Sequence, residues 1–103
     1  MAKYSFSSID KAEIEIDGYT FEVYGLSRQD ALEFTTKALE IAKIEDLEEK
    51  EKASKELDEM LLRLAIPDEK GRELVNKASL KVYRQIVDII MELSGLTGEV
   101  EKK

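Results

Sequence analysis

The chain holds 103 residues, 43% of them hydrophobic and 38% charged, with a formal net charge of −7 and a pI near 4.7. That is apolar material for one domain with one core, so wholesale disorder is excluded, and the acidic balance disfavours nucleic acid and anionic membrane surfaces as partners while attracting basic segments. With no cysteine and no histidine, disulfides, thiolate metal sites, thiol nucleophiles and the commonest general base near neutral pH are all excluded.

Residues 1–11 mix polar and apolar side chains and are expected to be loosely ordered, with Tyr4, Phe6 and Ile9 as possible anchors to the core. The opening Met1-Ala2-Lys3-Tyr4-Ser5 begins no apolar run of signal-peptide length, and no stretch reaches the roughly 20 apolar residues of a membrane span. A cytoplasmic location is therefore expected. From Ala12 the pattern becomes period two. Ile14 and Ile16 alternate with Glu13, Glu15 and Asp17; Phe21 and Val23 alternate with Thr20, Glu22 and Tyr24. The Asp17-Gly18 between them supplies the positive φ of a tight primed turn, so the spacing predicts a β-hairpin. Two strands alone are marginal in water. The hairpin must lay its apolar face on helices or on another chain.

Ser27 with Asp30 reads as an N-cap and an acid in the first turn. Ala31, Leu32, Phe34, Ala38, Leu39, Ile41 and Ala42 predict a first helix to about Ile44. The charged run 45–52 carries favourable Glu48–Lys52 and Glu51–Lys55 pairs and reads mostly as helix, with a break near 45–47. Ala53, Leu57, Met60, Leu61 and Leu64 form one stripe on a second helix, which Pro67 stops. Asp68 caps a short helix holding Leu74, Val75 and Ala78. A longer helix from about Ser79 carries Val82, Tyr83, Ile86, Val87, Ile90 and Leu93, and Gly95 is a natural residue to end it. The expected fold is α+β and mainly α: an N-terminal β-hairpin packed on a bundle of three or four helices. A single domain spans 12–96, and 97–103 is a polar tail.

No catalytic, cofactor-binding or metal-ligating residue stands out. Asp46, Glu48, Glu49 and Glu51 lack the spacing of a calcium loop and are interrupted by lysines, so they read as a solvated helix face. No two carboxylates are singled out as an acid–base pair, and the glycines form no phosphate loop. The chain therefore reads as a non-enzyme that needs no cofactor. Four residues are candidate protein contacts: Tyr19, Tyr24, Met60 and Met91. The tyrosines are placed on the hairpin face opposite Phe21 and Val23, as a contact surface or as scattered surface aromatics. Methionine suits adaptable surfaces, although filling core gaps is its commoner role.

The order of elements carries a resemblance. The hairpin Ile14-Glu15-Ile16-Asp17-Gly18-Tyr19-Thr20-Phe21-Glu22-Val23 is followed by Gly25-Leu26-Ser27, a helix and an acidic middle. Then come Leu61-Leu62-Arg63-Leu64-Ala65-Ile66-Pro67 and a closing helix ending in Leu93-Ser94-Gly95-Leu96. Over residues 12–97 this layout resembles the small tail assembly chaperones of long-tailed bacteriophages and prophages. The resemblance implies binding of the tape-measure protein during tail morphogenesis, self-association into a homo-oligomer, and action in the host cytoplasm. Two other readings stand beside it: a structural virion component such as a tail-tube or connector subunit, and a small acidic adaptor. On composition alone, titration calorimetry with ATP, Mg²⁺, Ca²⁺ or Zn²⁺ should find no site tighter than about 10 μM, equal to roughly 7 kcal/mol; a tighter stoichiometric event overturns the non-enzyme reading.

Overall fold

The computed structural model describes Lys3, Tyr4 and residues 9–96. Strands β1 (Lys11–Ile16) and β2 (Tyr19–Tyr24) form an antiparallel hairpin. Four helices follow: α1 (Arg28–Ala42), α2 (Leu47–Ala65), α3 (Glu69–Lys77) and α4 (Leu80–Leu93). The fold is thus α+β, mainly α, with the hairpin at its N-terminal end.

Asp17 at φ 50° and Gly18 at φ 84° make the hairpin turn, which fits the hand of the flanking strands. The register pairs Ala12 with Val23, Ile14 with Phe21 and Ile16 with Tyr19 on one face. The other face is Lys11, Glu13, Glu15, Thr20, Glu22 and Tyr24. This corrects the placing of Tyr19. Side chains alternate along a strand, so Tyr19 shares the face of Phe21 and Val23, and its ring stacks on Phe21 at 6.1 Å between centroids. Tyr24 does lie on the outer face, where its hydroxyl donates to Glu22 at 2.6 Å.

The inner face of the hairpin rests on α2, α3 and α4. Phe21 and Val23 are buried there with Leu26, Leu61, Leu62, Ala65, Ile66, Val75, Ile86 and Ile90. Gly71 of α3 admits the Phe21 ring: a Cβ at this position would sit 2.7 Å from Phe21 Cδ2. Ser27 and Asp68 cap their helices as the sequence predicts; Asp46, read there as part of a solvated helix face, is instead the N-cap of α2, and Ser79 caps α4. Ser27, Asp46, Asp68 and Ser79 each accept a backbone N–H in the first turn of the helix that follows, satisfying donors that have no partner within the helix. Ile66, held extended before Pro67, ends α2. The Arg72 guanidinium donates to the Ile66 carbonyl at 2.7 Å, tying α3 to the end of α2.

The Leu93-Ser94-Gly95-Leu96 ending has a structural role. Gly95 at φ 74° lets Leu96 N–H reach the Met91 carbonyl at 2.9 Å and Gly95 N–H reach that of Glu92 at 3.1 Å. These are the two bonds of a Schellman C-cap. Ser94 Oγ donates to the Ile90 carbonyl and accepts from Leu26 N–H at 2.7 Å. The end of α4 is thereby fastened to the exit of the hairpin.

Several apolar positions depart from the expected stripes. Leu32, Leu39 and Leu64 are exposed at 56%, 62% and 38%, while Leu62, Ala65 and Ile66 take the buried places. Tyr4 and Ile9 are also exposed and do not pin the N-terminal segment; Phe6 and the 97–103 tail lie outside the described residues. Tyr83 packs against the core as expected, and burial pushes its phenol up to about 12.

Leu61, Ile86 and Ile90 are almost wholly buried, so truncating any of them to Ala should cost about 2–5 kcal/mol. Glu49→Ala, on an exposed turn, should stay within about 0.5 kcal/mol in the same denaturant melts.

Candidate protein-binding surface

Helices α1 and α2 form an αα-hairpin around the short connection Lys43–Asp46. The connection tightens through Lys43 N–H to the Glu40 carbonyl and Ile44 N–H to the Ile41 carbonyl. Asp46 then restarts the helix by accepting Glu49 N–H at 3.0 Å. The apolar residues facing inward are half-buried: Phe34, Ala38 and Ile41 on α1, Ile44 in the connection, and Ala53, Leu57 and Met60 on α2. Between Ala31 and Leu61 no side chain is buried.

The two seams therefore meet along one side only. Beside them runs an open groove of about 350 Å³. Ile41 and Leu57 line it where the helices meet, with Ala53 beyond. One wall is Lys37 and Glu40 of α1 with Ile44 of the connection, at i, i+3 and i+7; the other is Glu56, Met60 and Arg63, at i, i+4 and i+7 of α2. Each wall is thus one ridge of a helix, and together they offer the surface that two helices of a bundle show to a third. The molecule is also elongated. Its extents are 56 × 36 × 24 Å and its radius of gyration is 15.2 Å, where a compact chain of this size has about 13 Å.

The structure does not bring the four candidate contacts together. Met60 lines the groove. Met91 is half-buried against the core in the last turn of α4. Tyr19 is half-buried over α3: its hydroxyl donates to Asp68 Oδ2 at 2.6 Å, and Lys70 Nζ lies 4.5 Å from its ring centroid. Tyr24 sits at the open end of the hairpin, with Lys11 Nζ 6.0 Å from its ring. The groove walls Lys37, Glu40, Glu56 and Arg63 were not foreseen. In the sequence they are ordinary members of charged helix faces. Only the period of Ile41 and of Ala53, Leu57 and Met60 marked the ridges they flank.

The groove has an apolar floor and wall charges of both signs. Among the described residues there is no cluster of three acidic side chains that could hold a metal ion, and no helix is long and apolar enough to cross a membrane. Compared with protein-family models, with curated proteins and with solved structures, the chain matches none.

Outside the groove, the hydrogen bond from Tyr19 holds the Asp68 carboxyl below its ordinary range, helped by Gly71 and Lys70 N–H. A carboxylate with a depressed folded pKa stabilises the fold above its unfolded pKa of about 3.9, and that stability is lost as the pH falls through the folded value. Asp68→Asn keeps an N-cap oxygen but not the charge. The wild type should therefore exceed this variant in denaturant midpoint at pH 7, and the difference should shrink steadily below about pH 4. A difference unchanged down to pH 2 would show that the charge contributes nothing.

Proposed function

We propose that this protein acts by binding another protein, and that the α1–α2 arm is its working surface. One observation carries the proposal. The arm is well-capped and helical, yet from residue 32 to 60 it buries no side chain. A half-covered apolar ridge pair of this kind gains hydrophobic free energy when a further helix covers it. The natural ligand of such a surface is an amphipathic helix, whose own stripe would otherwise face water.

Of the roles that the sequence raises, chaperoning fits this surface best. A long protein with exposed helical stripes, such as the tape-measure protein of a phage tail, presents many copies of that ligand. An acidic binder of −7 net charge keeps such a complex soluble by mutual repulsion. The tail-tube or connector reading rested on a hairpin that needs a second chain to cover it. Here Phe21 and Val23 are covered by the chain's own helices, so burial of the hairpin's inner face does not call for a second chain.

The test is co-expression with the long helical protein encoded beside this one. That partner should become soluble and co-purify. Met60→Asp or Ile41→Asp should abolish the rescue while leaving the melting temperature within about 5 °C of the wild type, since a change of about 1 kcal/mol moves a domain of this size by that much. Met91→Asp is the contrast: at a site packed against the core it should lower stability without acting on a partner surface. A partner that stays insoluble, or rescue that survives both groove variants, removes the arm from consideration.

A further inference from the structure

We propose that the outer edge of β1 is a second docking site, which takes an extended protein segment as a third strand, with lysine or arginine at alternate positions and apolar residues between them. It is separate from the groove and does not depend on it. A two-stranded sheet has an open edge on each side. The helices meet the hairpin through β2: α2, α3 and α4 all contact that strand, and no helix contacts β1 to the same extent. The ladder decides which groups the β1 edge offers. In an antiparallel pair, residues that turn their N–H and C=O toward the partner alternate with residues that turn them away. Asp17-Gly18 closes a two-residue loop, so Ile16, Ile14 and Ala12 turn theirs toward Tyr19, Phe21 and Val23. The alternation continues to Asp10, whose carbonyl accepts Gly25 N–H at 2.8 Å. Lys11, Glu13 and Glu15 therefore present their backbone groups outward, and among the described residues no backbone bond from outside the hairpin reaches them.

The side chains define what pairs there. Lys11, Glu13 and Glu15 lie on the outer face, while Ala12, Ile14 and Ile16 lie on the inner face and are half-buried. Glu13 stands directly opposite Glu22, and like charges so placed cost stability. Glu22 has Lys11 at 3.1 Å and accepts the Tyr24 hydroxyl at 2.6 Å. Glu13 and Glu15 have no salt bridge among the described residues. A second copy suits this edge poorly. In the antiparallel register that overlaps two β1 strands most fully, Glu13 meets its own counterpart, and each chain brings a net charge of −7. A strand with cations opposite Glu13 and Glu15 adds attraction instead. Its intervening residues fall on the inner face beside Ile14 and Ile16, which makes them apolar. Residues opposite Glu13 and Glu15 also exchange both ladder bonds with them. The cationic residues are thus the ones whose own amides are bound.

Four blocked peptides of about nine residues, long enough to span the strand, test this. The matched peptide has two lysines alternating with valines. The shuffled peptide has the same composition with the lysines adjacent, so they fall on opposite faces. The other two are the matched peptide N-methylated on both lysine amides, or on two valine amides. By fluorescence anisotropy, the intact protein should bind the matched peptide at least about 10-fold more tightly than the shuffled or the lysine-methylated one, while valine methylation should cost less than about 3-fold. In hydrogen exchange followed by NMR, the matched peptide should slow the Glu13 and Glu15 amides at least about 10-fold. The double variant Glu13→Lys, Glu15→Lys should keep its circular dichroism melt, release the matched peptide and take up one with glutamates in place of the lysines. Matched and shuffled peptides bound alike, or binding that survives lysine methylation, overturns the proposal. Binding that leaves the Glu13 and Glu15 amides unprotected places the peptide elsewhere and overturns it too, as does no binding at about 1 mM. A chain that is dimeric by light scattering at about 100 μM, with these two amides exposed only on dilution, assigns the edge to a second copy and likewise overturns it. None of these results bears on the groove, whose own test is the rescue of a partner through Ile41 and Met60.

Discussion

The seating of Phe21 against Gly71 is the contact on which the rest of the structure depends. A two-stranded hairpin does not hold its shape in water unless one face is covered. Here the cover is a helix approached at backbone distance, which only the absence of a Cβ allows. Phe21 and Val23, buried at 4% and 0% exposure, each gain about 1.5–3 kcal/mol in leaving water. Around them α2, α3 and α4 converge, and the Ser94 hydroxyl ties the last of these to Leu26 N–H. The hairpin is thus the floor on which the C-terminal half of the chain is assembled, although it is made first in the sequence.

That arrangement leaves the first helix with little to do in the core. Only Ala31 of α1 is buried, and Phe34 packs at the margin. Beyond these residues α1 has α2 alone for a neighbour of any extent. Two helices side by side cover one ridge of each and leave the next ridge open, which is why the groove exists. Its floor is apolar and its walls carry charges of both signs. The buried core lies among the hairpin and α2, α3 and α4, and the α1–α2 arm beyond Ala31 stands outside it.

Much of the local structure was legible in the sequence, because its causes lie within a few residues of each other. Asp17-Gly18 made the turn through positive φ. Ser27 and Asp68 set two of the helix starts by bonding N–H groups two or three residues on. Pro67 stopped α2, and Gly95 closed α4 by a cap completed within the span 91–96. The absence of cysteine and histidine, and the acidic charge, were likewise fixed by composition.

What only the tertiary structure decided is which apolar side chains are covered. Leu32, Leu39 and Leu64 satisfy helical periodicity as well as Leu62 and Ala65 do, but periodicity gives a face without saying what meets it. No neighbour reaches the outer face of α1, so Leu32 and Leu39 stay in water, whereas the hairpin reaches α2 on the side where Leu62 and Ala65 are buried. The groove is of the same kind. Ile41 and Leu57 are far apart in sequence and line one groove only when α1 and α2 fold back on each other, so neither helix alone could announce it.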